Sequence, residues 1–471
     1  MSTKTPSEED ILRPINTFTK KYVILYGAAA LGLVAFLVAW SYQLREGMIV
    51  TGLGDWGTGG GSTWGLYIGA FIWWVGVAHG GIILSAAVRL LGMDRYMPIA
   101  RIAELTTIGG LSAAGFYILV HMGRPDRMVT SVIGHYHITV NNSPLVWDVT
   151  VITAYFVLSA TYLGLTIRYD VARLRDDLPS FAPKVGGVQL PDLYGLVYNV
   201  LTFGYTKKED KIIERMVWWL AAAVIIMAPL LLHGGVIPWL FSVLPAMPAW
   251  TGGIQGPMFL SIALMSAISG VTIISYSFRR AYDWDHIITD DIFRGLLLWL
   301  GFFTLLFLWF QLQYVLNGIF LGPLDRAHAS EAKIAHPLYR IAIGMIFATL
   351  VYIFLQAIRP ALFSKKRALI ASCAILAGTL TEKVLFVVEG FMDPHFNIYA
   401  ATPGEYFPSV IEWLSLVGTA GLVALLFLNV SKLVPVVELH AIEHLRGDHD
   451  HEHEHEHEHE HTDATEPEVE A

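Results

Sequence analysis

The sequence predicts an all-α integral membrane protein with ten transmembrane helices. Of its 471 residues, 54% are hydrophobic and only 15% are charged, whereas a soluble domain carries about 25% charged residues. Ten apolar runs have the roughly 20 residues that a helix needs to cross a bilayer core, and barrel strands would be shorter and would alternate. These runs are 22–43, 65–91, 104–122, 148–167, 216–235, 257–276, 296–320, 338–357, 368–389 and 409–430.

The distribution of Lys and Arg predicts that both termini face the cytoplasm. Most of the 31 basic residues fall in the segments that this orientation places inside, as the positive-inside rule expects. The segments placed outside carry Arg45, Arg124, Arg127, Arg326, Lys333 and Arg340, and Lys383 lies within a span. An odd number of spans would scramble this bias, so we expect a multi-pass protein of the cell membrane.

Short matches between the two halves of the chain indicate an internal repeat. Met122–Arg127 follows the third span and the similar Leu321–Arg326 follows the seventh, while Ser143-Pro and His336-Pro open the fourth and eighth spans. We therefore predict two four-helix bundles, spans 2–5 and 6–9, with spans 1 and 10 flanking them. Repeated bundles also occur in transporters, so the repeat alone does not decide the function.

This prediction divides the chain into six segments. The last segment, the tail, is low in complexity because His alternates with acidic residues, and this composition predicts disorder. The tail either only solvates the protein or binds Zn²⁺ or Ni²⁺ loosely. The segments are a cytoplasmic segment (1–21), a flanking helix and outer loop (22–56), the first four-helix unit (57–235), the second unit (236–389), the last flanking helix (390–430) and the tail (431–471).

A histidine and a carboxylate are predicted to lie at the same depth near the outer surface. His121 ends the third span and Asp148 starts the fourth, and both ends face outwards. Such a pair suits a quinone headgroup, because each of the two ring oxygens needs a partner that exchanges a proton. The alternative is a structural His–Asp pair that ties two helix ends together.

Other ionisable residues within the spans are candidates for a proton path, because buried charge is costly in a membrane. They are His79, Glu104, Glu382, Lys383 and Glu389. Lys383 is expected to pair with a carboxylate on another helix, since adjacent residues face different directions. For each residue the alternative is structural, namely a hydrogen-bonded histidine, a charge at a helix start or a polar seam between helices.

Neither haem nor metal is expected. A membrane cytochrome needs paired histidines at similar depth, whereas the best pair, His79 and His233, lies at different depths. The single cysteine, Cys373, cannot form an internal disulfide, an iron–sulfur site or a thiolate zinc site. The composition also argues against a nucleic-acid partner.

Several of these segments together resemble the NrfD/PsrC family, the membrane subunits of polysulfide-reductase type. Within the family, the chain looks most similar to the ten-helix, quinol-oxidising subunits of alternative complex III. The resemblance covers residues from about 55 to 430. Its segments are Trp64–Tyr67, Trp73–Gly80, His121–Pro125, Asn142–Asp148, Tyr406–Pro408 and Ile411–Trp413.

The resemblance implies a subunit without haem or metal that binds menaquinone or ubiquinone near the outer face. It implies that His121 and Asp148 contact the quinol, and we expect Arg124 and Trp147, from the same two segments, to bind it as well. Electrons would pass to or from an iron–sulfur subunit docked outside, which often accompanies a molybdopterin or cytochrome subunit. The chain would then be a non-autonomous part of an oxidoreductase complex; a membrane anchor without its own quinone site and a secondary transporter are the alternatives.

Overall fold

The computed structural model confirms an integral membrane protein built from α-helices. It describes residues 7–53, 64–177, 184–185, 188–189, 193–228, 237–242, 244, 247–392 and 406–439. Two very short strands, β1 (Lys184–Val185) and β2 (Val188–Gln189), form an antiparallel ribbon in the longest predicted cytoplasmic loop. The α-helices of the described residues are α1 (Glu8–Asn16), α2 (Lys20–Glu46), α3 (Leu66–Leu90), α4 (Met97–His121), α5 (Tyr136–Asn142), α6 (Pro144–Asp177), α7 (Leu193–Leu201), α8 (Asp210–Ala228), α9 (Ile237–Ser242), α10 (Gln255–Tyr282), α11 (Asp290–Leu316), α12 (Leu324–Ala335), α13 (Pro337–Ile358), α14 (Lys365–Met392) and α15 (Val410–Leu433).

Nine helices of the described ranges are long and apolar enough to cross a membrane. They are α2, α3, α4, α6, α10, α11, α13, α14 and α15, and they confirm nine of the ten predicted spans. The fifth predicted span, 216–235, begins within α8, but residues 229–236 lie outside the described part of the chain. That span therefore stays a prediction.

Eight of the long helices pack in two sets of four. In the first set α3 packs on α4 and α8, and α6 packs on the same two helices. In the second set α10 packs on α11 and α14, and α13 packs on the same two. Contacts of α3 with α10 and α14 join the two sets, while α2 packs on α15. The boundaries 57–235 and 236–389 stay a prediction, and the tail segment His449–His461 and His233 lie outside the described residues.

The short helix α1 lies against the same end of the bundle as the start of α2. Its first turn is capped because the Ser7 hydroxyl oxygen accepts a hydrogen bond from the Asp10 N–H at 3.3 Å. Ile11 and Ile15 are fully buried, and the Trp284 indole N–H donates to the carbonyl oxygen of Asp10 at 2.9 Å. The apolar face of α1 is thus covered by the bundle.

A buried carboxylate ties three segments together at the opposite end. Glu412, which is fully buried, accepts hydrogen bonds from the Gly52 N–H at 2.7 Å and from the Tyr406 hydroxyl at 2.5 Å. The Tyr406 oxygen in turn accepts from the Leu66 N–H, one of the unpaired donors at the start of α3, at 2.7 Å. This end of α3 is therefore held in place, and the candidate site lies beside it.

Candidate functional site

His121 is the last residue of α4 because the chain turns sharply after it. Gly123 has a φ of +64°, a left-handed conformation that glycine adopts without strain, and Pro125 follows. The Met122 N–H still reaches the carbonyl oxygen of Ile118 at 3.2 Å, so the helix stays regular up to His121. The imidazole is therefore carried by a rigid helix end.

Asp148 lies just over one turn inside α6, which begins at Pro144. Proline is favoured at the first helical position because its missing N–H would have no partner there. The positive end of the helix dipole favours a carboxylate in this region. The local sequence therefore fixes both the start of the helix and the place of the acid.

The loop between α4 and α6 folds back onto the start of α6. It contains a π-helical turn, Met128–Ile133, and the short helix α5. The Trp147 indole N–H donates to the carbonyl oxygen of Val140 on α5 at 2.6 Å, and the hydroxyls of Tyr136 and Thr150 are 3.0 Å apart. These two contacts hold the loop beside Asp148.

The side chains of His121 and Asp148 line one cavity of about 270 Å³. Asp148 is fully buried, and neither of its carboxylate oxygens has a hydrogen-bond partner among the described residues. The buried Nδ1 of His121 also has none there. Among the described residues, the lining is Trp64, Ile68, Phe71, Ile118, His121, Met122, Ser143, Asp148, Leu240 and Leu244.

The cavity therefore suits a largely apolar molecule with a few hydrogen-bonding atoms. A buried polar group without a partner is costly, so a ligand that pairs with Asp148 and His121 would be strongly favoured there. Both groups can also accept or donate a proton. A planar ring that carries two oxygens matches this combination of apolar walls and proton-exchanging groups.

An aromatic cluster builds the wall of the cavity on the side of α10 and α14. The Trp64 ring, which lines the cavity, stacks on Trp250 at 5.7 Å between ring centroids. Trp250 is fully buried, and its indole N–H donates to the carbonyl oxygen of Phe386 at 2.8 Å. The second set of helices thus supports the wall of a cavity that lies in the first.

Two predicted ligand-binding residues do not line the cavity. The side chain of Arg124 is 68% exposed and pairs with Asp126 at 2.9 Å, and this partner holds the pKa of Asp126 below its usual range. Trp147 anchors α5, as described above. Both residues belong to the same two segments as His121 and Asp148. The turn after His121 directs the Arg124 side chain to solvent, and the hydrogen bond to Val140 occupies the Trp147 indole.

Eight lining residues were missed as site residues, namely Trp64, Ile68, Phe71, Ile118, Met122, Ser143, Leu240 and Leu244. Phe71 and Ile118 look in sequence like any other apolar residue of a span. Leu240 and Leu244 come from a segment predicted to be an outer loop, where the apolar run Ile237–Phe241 was the available signal. Trp64 was noted only as part of the family resemblance.

A line of buried polar side chains follows one face of α6 away from Asp148. The residues recur at spacings of three, four or seven, which places them on the same side of a helix. Tyr155 and Ser159 are each 1% exposed, and their hydroxyls have no hydrogen-bond partner among the described residues. The line consists of the buried Asp148, Tyr155, Ser159, Tyr162 and Asp170 and the half-buried Thr166.

His79, predicted to belong to a proton path, lies beside this line. Its ring packs over that of Tyr155 at 4.3 Å between centroids, and its Nδ1 is 2.7 Å from the carbonyl oxygen of Val75. His79 is fully buried. The histidine on α3 and the tyrosine on α6 thus meet in the interior of the first set of helices.

The line ends in a cluster of charged residues, here called the inner cluster, at the ends of α3, α4 and α6 that lie farther from His121 and Asp148. Glu104 accepts hydrogen bonds from Ser85 at 2.7 Å, from Arg89 at 2.8 Å and from Thr166 at 2.7 Å. Arg89 also pairs with Glu438, which follows α15. Glu104 is therefore part of an ion-pair network, which goes beyond the predicted charge at a helix start.

A second ion pair completes this inner cluster. Arg101 pairs with Asp170, and both side chains are almost fully buried. Arg101 also donates to the carbonyl oxygen of Thr166 at 2.8 Å. A pocket of about 240 Å³ adjoins the cluster and is lined by Arg89, Arg101, Leu165, Thr166, Tyr169, Asp170, Asp210, Ile213, Glu214, Val217 and Glu438.

The polar residues of α14 form a separate cluster in the second set of helices. Glu382 is fully buried and accepts a hydrogen bond from the Gln311 amide at 2.9 Å. Lys383 lies 3.3 Å from Glu382 on its own helix, and within the described ranges it has no ion pair with the carboxylate of another helix that was expected. Its long side chain lets the ammonium turn back towards its neighbour. Glu389 lies about two turns further along α14.

Glu382 also pairs with a residue of another helix, Lys333 on α12. The ammonium nitrogen of Lys333 lies 3.5 Å from a carboxylate oxygen of Glu382. The orientation argument counted Lys333 as a loop residue, yet it is only 4% exposed. Burial alone would lower the pKa of Lys333, but the Glu382 carboxylate outweighs it and the pKa is raised. Its position in a predicted outer loop gave no sign of burial.

No three His, Cys, Asp or Glu side chains lie close enough together to hold a metal ion in the ranges that the structure covers. The predictions that the protein has neither metal nor haem remain predictions. The residues that could hold a small organic molecule are those of the cavity around Asp148.

Comparisons with known proteins place the chain among membrane subunits of reductases. The family model described as polysulphide reductase, NrfD, matches residues 56–394. A protein of Halobacterium salinarum, named as a "putative dimethyl sulfoxide reductase membrane subunit", is 27% identical over 461 residues, 92% of this chain and 95% of its own length. A selenate reductase subunit of Mesobacillus selenatarsenatis is 25% identical over 432 residues, 88% of this chain and 93% of its own.

Proposed function

The chain belongs to the NrfD family of polysulphide reductase subunits, and on this premise we propose that it exchanges electrons between a quinone pool and an external iron–sulfur subunit. It is a membrane subunit of a respiratory oxidoreductase in this proposal, and menaquinol or ubiquinol is its substrate. The observation that carries the proposal is Asp148, a fully buried carboxylate without a described partner that faces an apolar cavity beside His121.

The chemistry of the site follows from quinol oxidation, which releases two electrons and two protons. The Asp148 carboxylate accepts the proton of one quinol hydroxyl, and the imidazole of His121 accepts that of the other. The electrons leave for the partner subunit, because the single cysteine of this chain cannot hold a cluster. In a reductase driven from outside, the same groups return protons to the quinone.

The partners are proposed from the family and from the names of the relatives. An iron–sulfur subunit on the outer face would take the electrons, together with a molybdopterin or cytochrome subunit. Both relatives are named as subunits of reductases, which favours a reductase complex. Membership of an alternative complex III stays a prediction.

The polar line on α6 supports a proton route between the cavity and the opposite end of the bundle. Tyr155 and Ser159 carry buried hydroxyls that water could bridge, since buried water pairs with otherwise unsatisfied polar groups. His79 lies on Tyr155, and Glu104 lies in the inner cluster. In the proposed orientation with cytoplasmic termini, this route would connect the quinone site to the cytoplasm.

A second route through Glu382, Lys383 and Glu389 belongs to the same proposal but has weaker support. The ion pairs of Glu382 with Lys333 and Lys383 are those expected of a structural cluster as well. The route through α6 is preferred because its hydroxyls lie on the helix that carries Asp148.

Quinone binding is the test of the proposed function. The full chain, purified with its complex, should release bound quinone on extraction and should show no haem bands in its optical spectrum. Asp148→Asn and His121→Ala should lose the quinone and lower quinol-dependent turnover by roughly 10²-fold or more, the effect typical of a lost acid–base group.

The matched controls come from the loop beside the cavity. Asp126→Asn and His137→Ala alter the same residue types at exposed positions outside the lining, and they should retain both quinone and turnover. If the Asp148 and His121 variants behave like their controls, the site is wrong. A folded protein without quinone and without response to quinone-site inhibitors would instead favour the membrane anchor or the secondary transporter.

A further inference from the structure

A groove of about 510 Å³ lies between α2 and α15, at the end of the bundle where α1 packs. It is larger than the two pockets described above, and it lies far along the chain from the residues of the quinone site. Its lining is Phe18, Tyr22, Val23, Tyr26, Gly27, Asn429, Lys432 and Leu433.

The groove contains a buried positive charge. Lys432 is only 5% exposed, and its ammonium donates to the carbonyl oxygens of Pro14 at 2.5 Å and Thr17 at 2.6 Å. It also lies over the rings of Phe18 at 4.5 Å and Tyr22 at 4.3 Å. Its described partners are neutral carbonyls and rings, so nothing among the described residues neutralises its charge by an ion pair.

The start of α2, next to the groove, is also basic. Lys20 and Lys21, the first two residues of α2, are exposed and directly precede the lining residue Tyr22. Tyrosines at the ends of membrane spans, such as Tyr22, prefer the boundary between the membrane and water. Two further lysines, which do not themselves line the groove, thus carry positive charge at the end of the candidate span α2, next to the lining residue Tyr22.

Further along α2 the groove becomes apolar. Val23 is 62% exposed, and a Cβ placed on Gly27 would meet no atom within 4 Å. Most of α2 faces outwards, since Ala29, Phe36 and Gln43 are its buried residues. The surface thus changes from cationic to apolar along the helix, in the order of a lipid headgroup followed by its acyl chain.

We propose that this groove binds an anionic phospholipid. The phosphate lies at the end of the groove beside Lys432, where the nearby charges of Lys20 and Lys21 also attract it, and one acyl chain runs over Val23 and Gly27 between α2 and α15. Basic pockets between transmembrane helices bind anionic headgroups in this way. The bound lipid would join the peripheral helix α2 to the bundle and shield the charge of Lys432.

Charge variants test the headgroup half of the proposal. The delipidated full chain is titrated with phosphatidylglycerol or with phosphatidylcholine of the same acyl chains, and bound lipid is counted by native mass spectrometry. Lys20→Gln with Lys21→Gln should weaken phosphatidylglycerol binding about thirtyfold, since each lysine near the surface contributes about 1 kcal/mol. The control is Lys207→Gln with Lys208→Gln, which removes another two consecutive exposed lysines, in the loop before α8. This double variant should leave binding unchanged.

A steric variant tests the acyl half without altering Lys432, whose loss could also release α1. Gly27→Leu would fill the groove, whereas Gly344→Leu adds the same side chain to α13, where the space beside the glycine is also open. Only Gly27→Leu should reduce phosphatidylglycerol binding and lower the thermal midpoint in the presence of that lipid. The proposal would be overturned if the protein bound phosphatidylglycerol and phosphatidylcholine equally, or if each variant behaved like its control. It would also be overturned if the protein were a dimer that Gly27→Leu dissociates, because a second copy of the chain would then occupy the groove.

Discussion

The hydroxyl of Tyr155 distinguishes a proton route from a structural seam at the residue scale. Tyr155→Phe removes the hydroxyl and keeps the ring over His79. A structural role predicts no effect on function, because the hydroxyl has no partner among the described residues. We expect quinone content to be unchanged, since Tyr155 does not line the cavity. Proton uptake by proteoliposomes during quinol turnover should fall on the order of tenfold.

The control for this experiment is Tyr352→Phe on α13, which removes a tyrosine hydroxyl outside the line on α6. It should leave proton uptake unaltered. Normal uptake in Tyr155→Phe would exclude the hydroxyl from the route, and loss of bound quinone would show that the substitution had disturbed the cavity instead.

Glu382 is expected to matter more for stability than either lysine beside it. The carboxylate pairs with both Lys333 and Lys383. Glu382→Gln therefore leaves two buried lysines without an ion pair, whereas after Lys333→Gln the Glu382 carboxylate still pairs with Lys383. Breaking a buried pair costs about 3–5 kcal/mol. The thermal midpoint in detergent should therefore fall further for Glu382→Gln than for Lys333→Gln.

Lys366→Gln is the control for this pair of variants, because that lysine is exposed at the start of α14. It should leave the midpoint unchanged. A larger loss in Lys333→Gln than in Glu382→Gln would mean that Glu382 is held mainly by Lys333 and that Lys383 has a different partner.

The sequence predicted individual residues well where helix ends defined their depth. His121 and Asp148 were placed at the same membrane surface, and the structure brings both to one cavity. The direction of a side chain in a loop carries no such signal, and Arg124 and Trp147, which were expected to bind the quinone, do not line the cavity. Lys333 was missed because burial within a loop depends on tertiary packing.

At the scale of elements, Gly390 is expected to control the shape of the cavity through Trp250. A Cβ on Gly390 would lie only 1.7 Å from the indole nitrogen of Trp250, and Trp250 stacks on the cavity residue Trp64. Gly390→Ala must therefore displace the indole, and overpacking of this kind costs about 1–3 kcal/mol. We expect quinone affinity to fall about tenfold and the thermal midpoint to drop.

Gly344→Ala is the matched control, since the same added methyl group meets open space on α13. It should leave quinone affinity and the midpoint unchanged. If Gly390→Ala lowers the midpoint but leaves the affinity intact, the aromatic cluster stabilises the fold without shaping the cavity.

The elements that span the membrane were predictable because their length and apolarity are local properties. Nine predicted spans are confirmed. Their ends differ from the predicted ones by at most seven residues, except in α6, which continues from the predicted end at 167 to Asp177. The short elements of the outer loops were not predicted. α5 and α12 depend on contacts with the spans, such as the hydrogen bond from Trp147 to Val140, and such contacts have no periodic signal in the sequence.

At the scale of the whole molecule, the candidate site and the inner cluster lie at opposite ends of one helix. Asp148 and Asp170 are 22 residues apart on α6, which is about 33 Å at the rise of an α-helix and close to the thickness of a bilayer core. A route along α6 would therefore carry protons across the full hydrocarbon layer. Its widest step separates Asp148 from Tyr155, and water would have to bridge it.

The sign of any charge movement depends on which end of the molecule faces the cytoplasm. The basic residues predict that Asn141, beside α6 in the outer loop, is exposed outside and that Lys366 is exposed inside. In a Cys373→Ala background, Asn141→Cys in intact cells should react with a membrane-impermeant maleimide, and Lys366→Cys should react only after lysis. Both positions are exposed in the structure, so accessibility to the reagent is not limited by burial. The opposite labelling pattern would place the quinone site at the cytoplasmic face and would reverse the direction of proton transfer along α6.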